Sequence, residues 1–385
     1  MTATADVVVI GGAQAGLAAG YHLRRLGLDF VVLDARSRAG GARQHAWDSL
    51  RLFSPAAYSS LPGRLLPPQT GQEHPDAAHV VDYLTDYEHR YDLPVHRPVR
   101  VNTVRRDGTW LRVETDSGAW SARAVTSATG TWWRPFLPAV PGMNAFTGRQ
   151  LHTAGYRSPA DFAGQRVVVV GGGDSGAQIA ADLAHNTELT WVTSRPPRFL
   201  ADDIDGRALF DTATTRRRAL DEGGTDTGGV GGRGGRGAGA AGPGGAPAPP
   251  PPPPPPAPPP HGGGPPAGPK RAAPPAGVSR DAGLLKAQPM FTRLTSDSAE
   301  WSDGTHAQTD TVIWCTGFRP ALSHLAPLAL RAPRGHIPTN GTRAVGEPRL
   351  HLLGYGDWTG PASATLIGVG RPARDAAREI AALLR

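Results

Sequence analysis

Cysteine is nearly missing from this chain of 385 residues, where Cys315 stands alone. A single thiol excludes an internal disulfide and a C-x-x-C redox pair. Lysine is almost as scarce, with only Lys270 and Lys286, so arginine carries the formal charge of +7 and the pI near 10. The arginines are scattered and do not gather on one predicted face. Nucleic acid is therefore not expected as a partner, and anionic cofactors account for part of the excess. No apolar run is long enough to cross a bilayer, which leaves no membrane partner. Neither a metal-ligand cluster nor a Ser-His-Asp set stands out, and no metal is expected. An apolar strand that begins near Asp6 leaves no room for a signal peptide. These exclusions point to a cytoplasmic enzyme of two or three domains.

What is present is arranged around residues 6–34. Residues 7–10 are an uninterrupted apolar run, as in a parallel strand buried on both faces. Gly11 and Gly12 break it, and Ala15, Ala18, Ala19, His22, Leu23 and Leu26 then recur on one face of a helix. Gly27 ends the helix, and residues 30–33 form a second strand that stops at Asp34. Strand, glycine turn, helix, strand and acid in register make the dinucleotide-binding fingerprint. Gly11 permits the bend, Gly16 lets helix and strand approach, and the free N–H groups at the helix start face a pyrophosphate. Asp34 is placed to accept hydrogen bonds from an adenosine ribose. Ala13 replaces the middle glycine of G-x-G-x-x-G, so its methyl group is expected to crowd the phosphates and weaken binding without abolishing it.

The same plan recurs. Residues 101–122 alternate as short strands with turns at Asp107-Gly108 and Asp116-Ser117-Gly118, a β-meander that leads to Ala128-Thr129-Gly130. Residues 167–170 are again an apolar strand, followed by G-G-G-D-S-G at 171–176, a helical spacing, and a strand at 189–193. Residues 291–305 repeat the meander and feed a strand ending in Cys315-Thr316-Gly317. The expected fold is α/β, with two Rossmann-like dinucleotide-binding domains of the three-layer ββα type, the second inserted in the first. Where the first copy has Asp34, the second has Ser194-Arg195. A carboxylate favours a free 2′-hydroxyl, whereas a hydroxyl and a guanidinium favour a 2′-phosphate. The first site is thus expected to hold FAD and the second NADPH.

The expected bounds are 1–145 for the first part of the FAD domain and 146–222 for the first part of the NADPH domain. Residues 278–309 are its remainder, and 310–385 the C-terminal part of the FAD domain. Residues 223–277 are dominated by glycine and proline, with unbroken proline at 249–256. Such a segment buries almost nothing and favours polyproline II, so a disordered insert is expected. A polyproline-binding partner, an RNA contact through its R-G-G pieces and a shifted reading frame are the other readings.

The assembled pieces resemble the flavin-containing monooxygenases, class B flavoproteins that use FAD and NADPH. Phe146-Thr147-Gly148, His152 and Tyr156 match that family's F-x-G-x-x-x-H-x-x-x-[FWY] signature, just ahead of the second glycine turn. Arg157 stands where the related Baeyer–Villiger enzymes usually have proline. The stretches W-D-S-L-R-L-F-S-P, S-A-T-G-T-W-W-R-P-F, V-I-W-C-T-G-F-R-P and L-G-Y-G-D-W-T-G-P-A-S-A-T-L resemble the branch found in arsenic-resistance operons, the ArsO type.

The resemblance implies that Gly11, Gly12, Ala13, Gly16 and Asp34 take the FAD pyrophosphate and ribose, with Gly41 and Trp47 along the flavin. It puts Gly356 and Asp357 at the pyrophosphate and ribityl chain, and Gly171, Gly173, Ser175, Gly176, Ser194 and Arg195 at NADPH. Thr129-Gly130 and Thr316-Gly317 match the paired A-T-G motifs that connect the domains. Arg43 departs from the pattern, since the family's G-G-x-W has tryptophan there. No catalytic residue is assigned. Ser54 is near the place of an asparagine that many members keep by the flavin, and His152 reads as orienting the interdomain linker. The implied activity is oxygenation of a small-molecule substrate by O2: NADPH reduces the flavin, a C4a-hydroperoxide forms, and one oxygen passes to a soft nucleophile such as an arsenical. A flavin reductase or oxidase making H2O2 and a nucleotide-binding protein without turnover are the rival readings.

Overall fold

β1 (Thr2–Ile10), α1 (Gln14–Arg25) and β2 (Phe30–Leu33) form where the apolar periodicity puts them, in a computed structural model that describes residues 2–197, 285–333 and 335–385. The segment 223–277 lies outside the described residues. Helix α2 (Ala77–Arg90) follows, capped by Asp76, whose carboxylate accepts from the His79 N–H at 2.8 Å. A short β3 (Val95–His96) pairs with β2, and β4 (Val101–Asp107), β5 (Trp110–Thr115) and β6 (Gly118–Ser127) form the meander. β6 returns to lie parallel to β1.

The alternation along residues 7–10 of β1 and along β2 explains why neither run has a polar face. Val7, Val9, Phe30 and Val32 point into one core with α1 and α2, whereas Val8, Ile10, Val31 and Leu33 point into another with Val104, Leu111 and Val113 of the meander. A sheet covered on both sides shows no solvent face in its sequence. Each such side chain contributes about 1.5–3 kcal/mol relative to exposure.

The second domain repeats this layering. It contains β7 (Arg149–His152), β8 (Arg166–Val170), α3 (Asp174–Leu183), β9 (Glu188–Thr193) and β10 (Ala287–Pro289). The antiparallel β11 (Arg293–Leu294), β12 (Ser298–Glu300) and β13 (His306–Gln308) come next, then β14 (Thr311–Trp314). Its parallel sheet runs β10-β9-β8-β14-β7. Val167, Val169 and Ile313 face α3, while Val168, Val170, Val312 and Trp314 face Phe291, Leu294 and Ala299. The position of β14 between β8 and β7 corrects the bound expected at 310. Its side chains fill both cores of the second domain, so the chain leaves that domain only after Gly317. β15 (Thr339–Asn340), β16 (Arg343–Ala344) and β17 (Glu347–Leu352) then complete the first sheet beside β6, and α4 (Gly370–Leu384) packs on α1. Among the described residues no helix is long and apolar enough to cross a membrane.

Candidate functional site

The two glycine turns are built alike. Gly11 has φ +106°, and a Cβ on it would stand 2.6 Å from the Ala128 carbonyl oxygen; Gly171 has φ +132°, with the Cys315 oxygen 2.3 Å away. Further on, a Cβ at Gly16 would meet the Gly11 oxygen at 1.8 Å, and one at Gly176 the Gly171 oxygen at 2.1 Å. A side chain at Gly11 or Gly171 would collide with the end of a neighbouring strand, and one at Gly16 or Gly176 would force the helix off its turn. Open space lies where a Cβ would go at Gly130, Gly173 and Gly356, and α1 has no acid in its first turn. A pyrophosphate therefore fits the helix start of the first turn; the second has the same glycine geometry but carries Asp174 in the first turn of α3.

Ala13 leads into α1 as its N-cap without a side-chain cap. A Cβ on Gly41, whose φ is +57°, would lie 2.4 Å from the Ala13 Cβ. The methyl group thus occupies room left by the missing side chain of Gly41, which amends the expectation that it simply crowds the phosphates. Asp34, at the end of β2, is held by a residue that sequence reasoning missed. Arg97 donates through Nε to Asp34 Oδ2 at 2.8 Å, through Nη1 to Glu88 Oε1 at 2.6 Å and through Nη2 to the Gly12 carbonyl at 3.2 Å. Burial alone draws the guanidinium pKa down, but its bonds to Glu88 and Asp34 outweigh that and hold it charged. Asp34 Oδ1 takes only a long 3.4 Å bond from the Arg36 N–H, which leaves acceptor capacity for a ribose hydroxyl.

The late G-D motif is brought to the same place. A Cβ on Gly354 would stand 2.8 Å from the Ala15 Cβ, and Gln14 Nε2 donates to the Ala364 carbonyl at 2.7 Å. Gly356 and Asp357 therefore lie beside the start of α1, as Thr129 does through its contact with Gly11. Tyr355, also missed, is buried between them, and burial raises its phenol pKa against the opposing bonds from Ser127 and Thr129. In the second cleft Ser194 and Arg195 are exposed just past β9, with the Arg195 carbonyl 3.9 Å from the Cβ position of Gly172. The Arg195 side chain makes no ion pair among the described residues.

The remaining candidates lie at the junction of the domains. His152 Nε2 donates to the Gly317 carbonyl at 2.9 Å while Nδ1 accepts from the Ala154 N–H at 3.2 Å. Those partners assign the Nε2–H tautomer, and burial lowers the pKa. Both nitrogens are engaged in bracing the second T-G strand end. Trp47 is 5% exposed and packs edge-on to Tyr156 at 6.0 Å in the core that covers α3. Most of its indole is thereby spent on the contact with the second domain. Ser49 Oγ donates to Asp182 Oδ2, Tyr156 Oη donates to the same oxygen at 3.3 Å, and the Asp48 N–H donates to the Arg157 carbonyl at 3.4 Å. The W-D-S stretch is thus a dock onto the second domain. Ser54 is buried, its carbonyl accepting from Ser59 Oγ at 3.3 Å, and its own hydroxyl makes no hydrogen bond among the described residues.

Two connections cross between the domains, and they are laced together. The Phe136 N–H donates to the Gly317 carbonyl at 3.0 Å, Arg319 N–H to Arg134 at 2.7 Å and Ala321 N–H to Gly130 at 2.9 Å. Thr316 Oγ1 adds a 2.5 Å bond to the Phe136 carbonyl. The ring of Phe318 stacks on Trp132 at 5.2 Å, and Trp132 stacks on His45 at 5.6 Å.

Residues 8–206 match the family model described as pyridine nucleotide-disulphide oxidoreductase. The solved flavin-containing monooxygenase from Stenotrophomonas maltophilia is similar over 99% of both chains, with 44% identity and a TM-score of 0.82. A CzcO-like oxidoreductase of Geobacillus kaustophilus is 34% identical over 205 residues, 53% of this chain and 59% of that protein. A probable indole-3-pyruvate monooxygenase of Arabidopsis thaliana, YUCCA4, is 30% identical over 217 residues, 54% of this chain and 51% of that protein. The chain thus spans between half and three fifths of the length of these curated relatives. With both nucleotide clefts in place, the chain belongs to the flavin-containing monooxygenase family, whose members use FAD and NADPH.

Proposed function

We propose that this chain is a monooxygenase that uses FAD and NADPH to place one atom of O2 on a soft nucleophile. The observation that carries this reading is a duplicated glycine turn with unlike ends: Asp34 fixed beside the first, and beside the second an exposed Arg195 that makes no ion pair among the described residues. Bound FAD and NADPH supply the reduction and the activation of oxygen. The chain's own groups bind and orient. The α1 N–H groups and Asp34 hold one nucleotide, the α3 turn and Arg195 hold the other, and the docked W-D-S stretch fixes the domains against each other. Acid–base groups are few at the junction, since both nitrogens of His152 are committed. Exclusion of water from the reacting centre is then the protein's main chemical task. Disulfide chemistry is disfavoured: burial pushes the Cys315 thiol up to about 12, and the sequence has no second cysteine.

For the substrate we propose a trivalent or organic arsenical as the first candidate, on the likeness of four sequence stretches to the arsenic-operon branch. The experiment has two stages. NADPH added under nitrogen to the purified yellow protein is expected to bleach the flavin band; an unbleached band would remove the enzyme reading. In air, NADPH consumption with an arsenical is then expected to exceed peroxide release. Peroxide equal to NADPH consumed, with arsenicals, sulfides, amines and ketones alike, would leave only an oxidase.

A further inference from the structure

Arg43 lies in the 3₁₀ turn Gly41–His45, whose first residue rests on Ala13 at the mouth of the first glycine turn. Its side chain is packed round by protein yet keeps some accessible surface, and it makes no hydrogen bond or ion pair among the described residues. Burial lowers its pKa with nothing to oppose the effect. The charged groups that act on His45, at the end of that turn, are all cationic. Arg36 Nη1 contacts His45 Nε2, and Arg157 Nη1 donates to the His45 carbonyl at 3.3 Å. Arg36, Arg157 and Arg38 all act to keep His45 neutral, after burial itself. Asp34, the acid that acts on Arg36, is already paired with Arg97. An enclosed guanidinium without a counter-charge is costly. It is retained where a ligand brings the missing anion.

The ligand chemistry follows from position. The turn that carries Arg43 sits on the residue that departs from the glycine pattern, so the two departures from the family's motifs are neighbours in space. Ala13 stands at the helix start where a pyrophosphate would bind, and a guanidinium two residues past the Gly41 contact point is placed to supply a charge to hold it. We propose that Arg43 is a phosphate clamp of the FAD site, pairing with the cofactor's pyrophosphate beside the α1 N–H groups. Arginine suits that role because its planar fork matches phosphate oxygens.

This rests on the FAD reading of the first cleft, and its test separates the two. FAD is stripped from the full chain and from R43M, R43K and R43W, each checked for an unchanged apo-protein unfolding curve. FAD affinity is titrated by flavin fluorescence, and ADP, which carries the pyrophosphate and no flavin, is titrated as its competitor. Loss of one charge-assisted contact is expected to weaken FAD and ADP by the same factor in R43M and R43W, about tenfold or more, with R43K, which keeps the charge and loses the fork, recovering only part of it. Added salt is expected to weaken FAD binding less in R43M than in the wild type. Weakened FAD with unchanged ADP would put Arg43 at the flavin or substrate side and overturn the clamp. Equal affinities in wild type and R43M overturn it while leaving the FAD reading intact, whereas a wild type that binds no FAD removes both.

Discussion

The phenol oxygen of Tyr355 lies 2.7 Å from Thr129 Oγ1, joining residues 226 apart in the chain. The same oxygen is 2.8 Å from Ser127 Oγ and accepts from the Thr129 N–H at 3.3 Å. It ties the late G-D loop to the first T-G strand end, the two segments that flank the start of α1. Removing the hydroxyl in Y355F leaves buried partners unsatisfied, at about 1–3 kcal/mol. Urea unfolding is expected to show that loss, and a fluorescence titration is expected to show weaker FAD binding in the variant.

Arg97 stands between two carboxylates, with side-chain exposures of 11% for Arg97, 8% for Asp34 and 12% for Glu88. Replacing it by methionine strands both acids in a poorly solvated place. The expected cost is about 3–5 kcal/mol, more than a surface ion pair would show. The double variant R97M/E88Q is expected to recover part of it, and denaturant midpoints measured on both proteins check this.

Arg195 is expected to set the preference between the two nicotinamide cofactors. R195Q removes a charged hydrogen bond to a 2′-phosphate and nothing that a free 2′-hydroxyl needs. The KM for NADPH is expected to rise about tenfold to a hundredfold, with the KM for NADH little changed. Parallel steady-state runs with both cofactors decide it, and an equal rise for both would count against the assignment.

His324 and His351 are buried and neutral, each with a pKa drawn down to about 4, by burial first and then by Arg331 and Arg343 respectively. His324 Nε2 is 3.0 Å from Ser127 Oγ, and His351 Nδ1 is 2.9 Å from Thr342 Oγ1. Because the unfolded chain takes up these protons at about pH 6.5 and the folded chain only near 4, stability is full above 6.5 and falls as pH drops through that window. The expected slope is on the order of 1 kcal/mol per pH unit for each histidine. Denaturant unfolding at pH 7.5, 6 and 5 measures it, and H351Q is expected to flatten the slope.

β1, α1 and β2, and their repeat in β8, α3 and β9, are legible because buried parallel strands and glycine turns leave local marks. Helix α2 also carries a signal, the Asp76 cap and the spacing of Ala77, Val80, Tyr83, Leu84 and Tyr87, that an eye fixed on nucleotide motifs passes over. α4 is fainter, since its buried face is mostly alanine. Arg97 has no local mark at all; its meaning depends on Asp34 and Glu88 meeting it in space. Trp47 has a second meaning that its sequence neighbours do not show: its packing on Tyr156 across the domain junction depends on a residue more than a hundred positions away. Arg43 is visible in sequence as a departure, and only the lack of a counter-charge among the described residues gives that departure a chemical sense.

The lacing of residues 130–136 to 317–321 restricts how the second domain can travel. Neither crossing can lengthen or slip without breaking its rungs to the other, so sliding of one domain over its neighbour is disfavoured. What the ribbon permits is torsion about its own long axis. A dinucleotide whose 2′-phosphate end rested at Arg195 would accordingly carry its nicotinamide, at the far end, on an arc toward and away from the first cleft, like a leaf on a door post.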